Sequence, residues 1–197
     1  MARAGLTVES VVVEAERIAD DVGLSRLTIA ALADSLGVRQ PSLYKHINGM
    51  EGLRRSIAVR AKTELADILG RAAVGRARGD AIRAVARTYR QWALAHPGRY
   101  EATIHAPLPG DVDDEAASAD AVKVILDVLS GYHLHGDAAI DATRALRSAL
   151  HGYVSLETSG GFGLPTDIDH SFDRLVDALI TAFEIEADTH HIPRGRS

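Results

Sequence analysis

Polar side chains gather in one short stretch of the chain, GVRQPSLYKHI, which spans residues 37–47. Leu43 and Ile47 are four residues apart and give a short helix one apolar side. At about 100° per residue, the pairs Gln40 with Tyr44 and Pro41 with Lys45 then line the outward side. Gln can pair bidentately with adenine, Lys can reach guanine or phosphate, and a proline ring can contact a thymine methyl. The stretch therefore predicts a helix that reads bases in the major groove of DNA.

Further polar groups near this stretch are suited to the phosphate backbone. Ser42, Tyr44 and His46 can bond phosphate oxygens, as can the Thr28 hydroxyl and the backbone amides at the start of the preceding helix. The candidate DNA-binding residues are Thr28, Arg39, Gln40, Pro41, Ser42, Tyr44, Lys45 and His46. A polar-faced surface helix that binds nothing is the alternative interpretation of the same pattern.

The elements that position these residues are predicted to be helices throughout, so the fold class is all-α with about nine helices. Apolar residues recur at spacings of three and four, with breaks at Gly23, Gly37, Asn48-Gly49 and a Gly- and Arg-rich segment at 70–79. The predicted helices begin near positions 8, 28, 40, 50, 80, 97, 112, 137 and 166. Thr166, with Asp169 three residues later, matches a capping box at the start of the ninth helix. A helix, a turn at Gly37 and a second short helix indicate a helix-turn-helix.

Charge separates the N-terminal part of the chain from the rest. The net charge is −5, which alone argues against a nucleic-acid binder, yet residues 25–62 hold seven Lys or Arg against Asp34 and Glu51. The chain has no cysteine, no apolar run of roughly 18 residues and no signal-peptide pattern. We therefore expect a cytoplasmic protein that does not insert into a membrane.

The segment LTIAALADSLGVRQPSLYKHINGMEGL resembles the DNA-binding segment of the TetR family of bacterial repressors. The resemblance rests on a Leu-Thr entry, an Ala-x-x-Leu-Gly-Val turn, a Leu-Tyr-x-His centre, and Glu51 with Leu53 in the next helix. Two positions differ from the family pattern. Met50 stands where the family usually has a phosphate-binding lysine, which Arg54 or Arg55 could replace, and Ala30 stands where some members carry a base-reading arginine.

The resemblance extends to the C-terminal two-thirds. YRQWALAHPGRYEATI (89–104) and ALHGYVSLETSGGF (149–162) are similar to a subgroup of TetR C-terminal domains marked by Trp, His and Gly, here Trp92, His96 or His151, and Gly152. The domains implied are a helix-turn-helix domain at 1–48, a connecting helix and linker at 49–79, and a ligand-binding and dimerisation domain at 80–197. The resemblance also implies a homodimer through the last two helices, about 137–188, although these helices could instead pack only within one protomer.

An effector pocket is expected among helices five to eight, where aromatic and imidazole groups collect. The candidate ligand-binding residues are Tyr89, Trp92, His96, Tyr100, His105, His133, His151 and Phe162. For Trp92, a place in the hydrophobic core is the alternative to a pocket wall.

The function expected is that of a transcriptional regulator, most simply a repressor that binds a pseudo-palindromic operator as a homodimer and is released by a small-molecule effector. The alternative is a helical small-molecule binding protein without operator binding. The common catalytic and nucleotide-binding motifs are absent from the sequence, so neither an enzyme nor a cofactor is expected. The pairs His133 with His135 and His190 with His191 lack further ligands at metal-site spacing, so no metal site is predicted.

Overall fold

The computed structural model of the protein describes residues 6–191, without the side chains of residues 190 and 191. Over this range the chain is all-α, which confirms the expected fold class. The helices are α1 Val8–Val22, α2 Ile29–Leu36, α3 Gln40–Leu43, α4 Gly49–Ala73, α5 Arg78–Ala95, α6 Pro97–Ala102, α7 Val112–Leu129, α8 Asp137–Thr158 and α9 Ile168–His191, with short 3₁₀ helices at Leu24–Arg26 and Ser130–Tyr132. Within residues 6–191, no helix combines the length and the hydropathy of a membrane-spanning segment.

Two helix ends differ from the sequence-based prediction. Helix α4 continues through Gly70 to Ala73, so the connector before α5 is only residues 74–77 rather than 70–79. A single glycine inside a long helix is tolerated at modest cost, and the turn occurs at Gly75, where φ is +71°. At the start of α9, the Asp167 carboxylate accepts bonds from the amides of Asp169 (2.7 Å) and His170 (3.2 Å). The predicted capping box from Thr166 is therefore wrong, because Asp167 caps the helix.

The first compact unit contains residues up to 64 together with residues 95–119. Helix α1 starts in a capping box, in which the Thr7 hydroxyl accepts from the Ser10 amide and the Ser10 hydroxyl accepts from the Thr7 amide, each at 3.0 Å. Helices α1 to α3 and the start of α4 share one apolar core, formed mainly by Val11, Val12, Ala15, Ile18, Leu27, Leu32, Leu43, Ile47, Leu53 and Ile57.

Helix α6 is fixed against α1 in the same unit. Gly98 lies so close to α1 that a Cβ atom at this position would be 2.1 Å from the backbone carbon and oxygen of Ala19. The Asp20 carboxylate accepts bonds from the Arg99 amide and from the Arg99 side chain, both at 2.8 Å. Only a glycine permits this approach of the two backbones.

The second compact unit contains residues 65–94 and the chain from residue 120 onwards. Its core is built from the apolar faces of three helices, with Ile82, Val85 and Trp92 on α5, Leu146, Leu150 and Val154 on α8, and Phe172, Val176, Ile180 and Phe183 on α9. Arginines on α5 also form ion pairs with acidic residues of α8 and α9. Arg83 binds Asp177 and Arg87 binds Asp173, each at 2.9 Å, and Arg90 binds Glu157 at 2.6 Å.

Candidate DNA interface and ligand site

Helix α3 and the turn after it, which together form the predicted recognition helix, are held by two buried apolar residues. Leu43 is fully buried and Ile47 is 7% exposed, as the spacing predicts. Only Gln40–Leu43 is regular helix, but the Ile47 amide donates to the Leu43 carbonyl at 3.1 Å, so the helical path continues for one more turn. Gln40, Pro41, Tyr44 and Lys45 are all exposed on the outward side. The base-reading chemistries inferred from the sequence therefore share one accessible face.

The turn that sets this helix against α2 depends on Gly37. Its φ is +65°, in the left-handed region, and its amide donates to the carbonyls of Ala33 and Asp34. The Val38 amide then donates to the Ala33 carbonyl at 3.0 Å. This pattern of bonds ends a helix and reverses the chain, and glycine adopts it without a steric cost. The sequence Leu-Gly-Val thus fixes the angle between the two helices of the motif.

The start of α2 has the geometry that the predicted phosphate contact requires. Thr28 is the N-cap, and its hydroxyl oxygen accepts from the Ala31 amide at 3.1 Å. The amides of Ile29 and Ala30, ahead of it in the first turn, have no partner within the helix. These amides and the hydroxyl hydrogen of the exposed Thr28 can bind an anion, aided by the helix dipole.

The seven basic residues between positions 25 and 62 divide into two groups. Three of them are paired inside the first unit, because Arg55 binds Asp111 and Asp113, Arg60 binds Glu16, and Lys62 binds Asp114. Within the described residues, no carboxylate pairs with the other four, which are all exposed: Arg26, Arg39, Lys45 and Arg54. These four unpaired cations, rather than all seven, are the positive charge that the first unit presents to a polyanion.

The structure also distinguishes the two candidates for the lysine that Met50 replaces. Arg55 is held by the two aspartates and keeps the pKa of Asp111 below its ordinary value through their hydrogen bond. Arg54 is exposed and has no acidic partner among the described residues. Met50 itself is half-buried and packs against the apolar core of the first unit. The missing charge at position 50 therefore has a structural reason, and of the two arginines Arg54 is the one without an acidic partner among the described residues.

The eight candidate ligand-binding residues are divided between the two units. His96, Tyr100 and His105 belong to the first, where His96 Nδ1 is 3.2 Å from Asp20 and the His105 carbonyl accepts from Lys62 at 3.1 Å. Tyr100 is buried there, and the His105 side chain is exposed.

The other five candidates belong to the second unit. Trp92 is buried, Tyr89, His151 and Phe162 are half-buried, and His133 is exposed after a 3₁₀ turn. Phe162 packs against the Tyr153 ring, with the ring centres 4.7 Å apart.

An open cleft in the second unit was not anticipated from the sequence. It has a volume of ≈ 410 Å³ and lies between the end of α4, the start of α5 and the end of α7, and none of the eight candidates lines it. Its two basic lining residues, Arg76 and Arg78, lie in the Gly- and Arg-rich segment at 70–79, which the sequence alone indicates only as a break between helices.

Metal binding has no further support in the described part of the chain. Among the side chains described, no three His, Asp or Glu residues gather as a metal site would require. The side chains of His190 and His191 lie outside the described residues.

Comparisons with known proteins agree with this geometry. Residues 82–179 match a family model described as the C-terminal domain of tetracyclin repressor-like proteins. The chain is 42% identical over 183 residues to the uncharacterized HTH-type transcriptional regulator Rv0681 of Mycobacterium tuberculosis, covering 92% of this chain and 83% of that protein. It is 36% identical over 169 residues to the HTH-type regulator YobS of Bacillus subtilis, covering 84% of this chain and 86% of that protein.

Solved structures show the same fold. The crystal structure of a TetR variant from Acinetobacter baumannii in complex with minocycline matches 93% of this chain and 99% of its own, with a TM-score of 0.69 at 21% identity. With the helix-turn-helix geometry above, these matches show that the chain belongs to the TetR family and is a DNA-binding transcriptional regulator.

Proposed function

We propose that the protein is a repressor that binds a pseudo-palindromic operator as a homodimer and leaves it when a small molecule binds. The observation that carries this proposal is the outward face of Gln40, Pro41, Tyr44 and Lys45 beside unpaired cations in the same compact unit. One recognition helix reads only a few base pairs, so a specific site needs two of them about one DNA turn apart. The protein would act in the cytoplasm, where a bacterial chromosome is accessible to it.

Each candidate DNA-binding residue has a proposed role. Gln40 pairs with adenine, Pro41 contacts a thymine methyl, and Lys45 reaches guanine or a phosphate. The remaining candidates bind the phosphate backbone: Thr28, Arg39, Ser42, Tyr44 and His46. The exposed arginines Arg26 and Arg54, which have no acidic partner among the described residues, are added to them as phosphate contacts.

The dimer is proposed to form through α8 and α9. On α8, Ala145 is exposed and a Cβ atom added at Gly152 would meet nothing within 4 Å. Glycine inside a helix costs about 1 kcal/mol relative to alanine, and packing within the protomer gives no reason for it here. On α9, Leu175 and Leu179 are half-buried and Ile185 is 62% exposed. A small face on one helix and an apolar face on the next are suited to close packing against a second copy.

The effector is proposed to bind in the C-terminal domain at 80–197, and the eight candidate residues remain the sequence-based prediction for its site. A bound small molecule can release DNA only if it favours one spacing of the two recognition helices over the other. The minocycline complex of the A. baumannii protein supports a small-molecule effector for this chain by similarity of fold.

Selection of bound DNA tests the proposal. The purified protein is mixed with fragmented genomic DNA from its source at near-physiological salt, and the retained fragments are sequenced. We expect a pseudo-palindrome beside particular genes, and higher transcription of those genes when the regulator is deleted. A variant with Tyr44→Ala and Lys45→Ala should lose the enrichment, whereas Lys123→Ala, which removes an exposed lysine of the second unit, should keep it. Enrichment unchanged in the double variant would contradict the proposed reading face.

A further inference from the structure

The open cleft of the second unit combines apolar walls with two basic side chains. Its apolar lining includes Ala77, Ala81, Val124 and Val128, and its two basic lining residues are Arg76 and Arg78. Its volume of ≈ 410 Å³ is in the range of small-molecule sites in proteins. All of these residues belong to one compact unit, so the cleft is formed within it.

Gly70 leaves room in this cleft at a cost to α4. It lies inside the helix, where glycine is less favourable than alanine. A Cβ atom added here would be 3.8 Å from Val124 Cγ2, an ordinary van der Waals distance, so packing of the fold does not require glycine. The glycine deepens a cavity that an alanine or a larger residue would begin to fill.

The two arginines of the cleft, Arg76 and Arg78, have no acidic partner among the described residues. Arg76 donates to backbone carbonyls, the nearer being that of Ala72 at 2.9 Å, and the Arg78 guanidinium lies over the Tyr132 ring, 5.2 Å from its centre. By contrast, Arg83, Arg87 and Arg90 each bind a carboxylate. The acidic residue of the lining, Asp127, is already paired with Lys123 at 2.5 Å. The cleft therefore carries positive charge that no described residue neutralises.

Arg78 also has an unfavourable backbone conformation. Its φ is +49°, in the left-handed region that glycine adopts freely and arginine rarely adopts. Behind it, Gly131 packs against the arginine stem, and a Cβ atom there would be 3.4 Å from the Arg78 Cγ atom, in ordinary van der Waals contact. An arginine at a position that favours glycine indicates that its side chain has a use.

We propose that this cleft binds a medium-chain carboxylate, with the carboxylate at Arg76 and Arg78 and the hydrocarbon chain against Val124 and Val128. A guanidinium binds a carboxylate through two parallel hydrogen bonds, and the apolar walls remove the chain from water. The inference goes beyond the proposed function, because it adds a ligand site of stated chemistry that none of the eight candidate residues lines.

Calorimetric titration of the full-length protein with octanoate, decanoate and dodecanoate tests the site. We expect saturable binding of one molecule per protomer for at least one chain length, and much weaker binding of decanamide, which has the chain without the charge. Arg78→Gly should weaken binding about tenfold or more, because it removes the guanidinium. Its melting temperature should be equal or higher, because glycine adopts the positive φ at this position without strain. Gly70→Leu should block binding by filling the cleft.

Arg71→Gln is the matched control, since Arg71 is an exposed arginine of α4 that does not line the cleft. It should bind the carboxylate as the unmodified protein does. Absence of saturable binding for all three acids would overturn the proposal, as would equal affinity for decanamide. Binding that Arg78→Gly leaves unchanged would overturn it as well, and this variant keeps the test decisive if Gly70→Leu fails to fold.

Discussion

At the scale of single residues, two adjacent arginines of α4 have different surroundings. Arg55 binds two aspartates, whereas Arg54 has no acidic partner in the part of the chain that is described. Arg54→Ala should therefore weaken operator binding by about tenfold, the effect of losing a charge-assisted bond to phosphate. Arg55→Ala should change the affinity by less than about twofold, because its guanidinium is already engaged. Fluorescence anisotropy with a labelled operator fragment measures both.

For the stability of the fold we expect the opposite order, with Arg55→Ala more destabilising than Arg54→Ala. Arg55 lowers the pKa of Asp111, so their contact stabilises the fold above the ordinary pKa of an aspartate and is lost as the pH falls through the lowered value. Arg55→Ala should lower the melting temperature at neutral pH, and the difference should disappear in acid. A larger loss of operator affinity from Arg55→Ala than from Arg54→Ala would show that Arg55 is the phosphate ligand.

A second residue-scale prediction concerns Tyr132. Its ring is fully buried, packs edge-on to Phe183 at 6.0 Å, and has a hydroxyl with no hydrogen-bond partner among the described residues. Burial raises the pKa of this hydroxyl. Tyr132→Phe keeps the ring and removes an unsatisfied polar group, so it should raise the free energy of unfolding by about 1 kcal/mol in urea titrations.

Tyr153→Phe is the matched control for this prediction. The Tyr153 hydroxyl donates to the Ile168 carbonyl at 2.6 Å, so its removal should lower stability by about 1 kcal/mol. Destabilisation by both variants would mean that the Tyr132 hydroxyl has a partner, such as a buried water molecule.

At the scale of helices, the contact between α6 and α1 depends on one missing side chain. Gly98→Ala would place a methyl group 2.1 Å from the Ala19 backbone, a distance that requires the two helices to separate. Overpacking of this kind costs about 1–3 kcal/mol, and the bonds from Arg99 to Asp20 would be strained as well. We expect a loss of at least about 2 kcal/mol in chemical denaturation. A neutral effect would contradict the observed approach of the two helices.

The helices themselves were largely predictable from the sequence, because local signals encode them. Gly37 and the pair Leu43 and Ile47 follow the expected turn and apolar spacing. Contacts between residues far apart in the chain were not predictable. The partners of Arg55 are Asp111 and Asp113, which follow it by 56 and 58 positions, so from the sequence alone its charge appeared available for DNA. The cleft was not predictable either, because its walls depend on the angles between α4, α5 and α7, which are set only when the chain folds. The capping of α9 by Asp167 was missed because two adjacent residues, Thr166 and Asp167, are both good caps.

A further prediction for a helix concerns Gly152 on α8. Gly152→Leu should leave the protomer folded, because a Cβ atom there meets nothing within 4 Å, but it should weaken the proposed dimer at least about tenfold by separating the two copies. Sedimentation velocity reports the dimer, and far-ultraviolet circular dichroism reports the helices. Arg71→Leu is a control for added apolar surface, because Arg71 is an exposed residue of α4 and lies outside α8 and α9. A dimer unaffected by Gly152→Leu would mean that the interface lies elsewhere.

At the scale of the whole molecule, the first unit, which contains the helix-turn-helix, has fewer unpaired basic residues than the sequence count indicates. Three of the seven basic residues are neutralised by Glu16, Asp111, Asp113 and Asp114, which leaves Arg26, Arg39, Lys45 and Arg54 unpaired within the described residues. Basic side chains that stay paired with carboxylates release no counterions when the protein binds DNA. Only the unpaired basic residues should therefore contribute to the salt dependence of binding. Internal pairing should thus limit non-specific attraction to DNA, while the outward side formed by Gln40, Pro41, Tyr44 and Lys45 stays exposed.

The salt dependence of operator affinity follows from this count. Four phosphate contacts from each protomer give a slope of log affinity against log salt of about −7 for a homodimer and about −4 for a monomer. If all seven basic residues contacted phosphates, the slope for a dimer would approach about −13. Titrations at several salt concentrations measure the slope, and Arg26→Gln should make it less steep by about 2 in a dimer, since each substitution removes two contacts. A change of about 1 would indicate that a single protomer binds, and no change would exclude Arg26 from the interface.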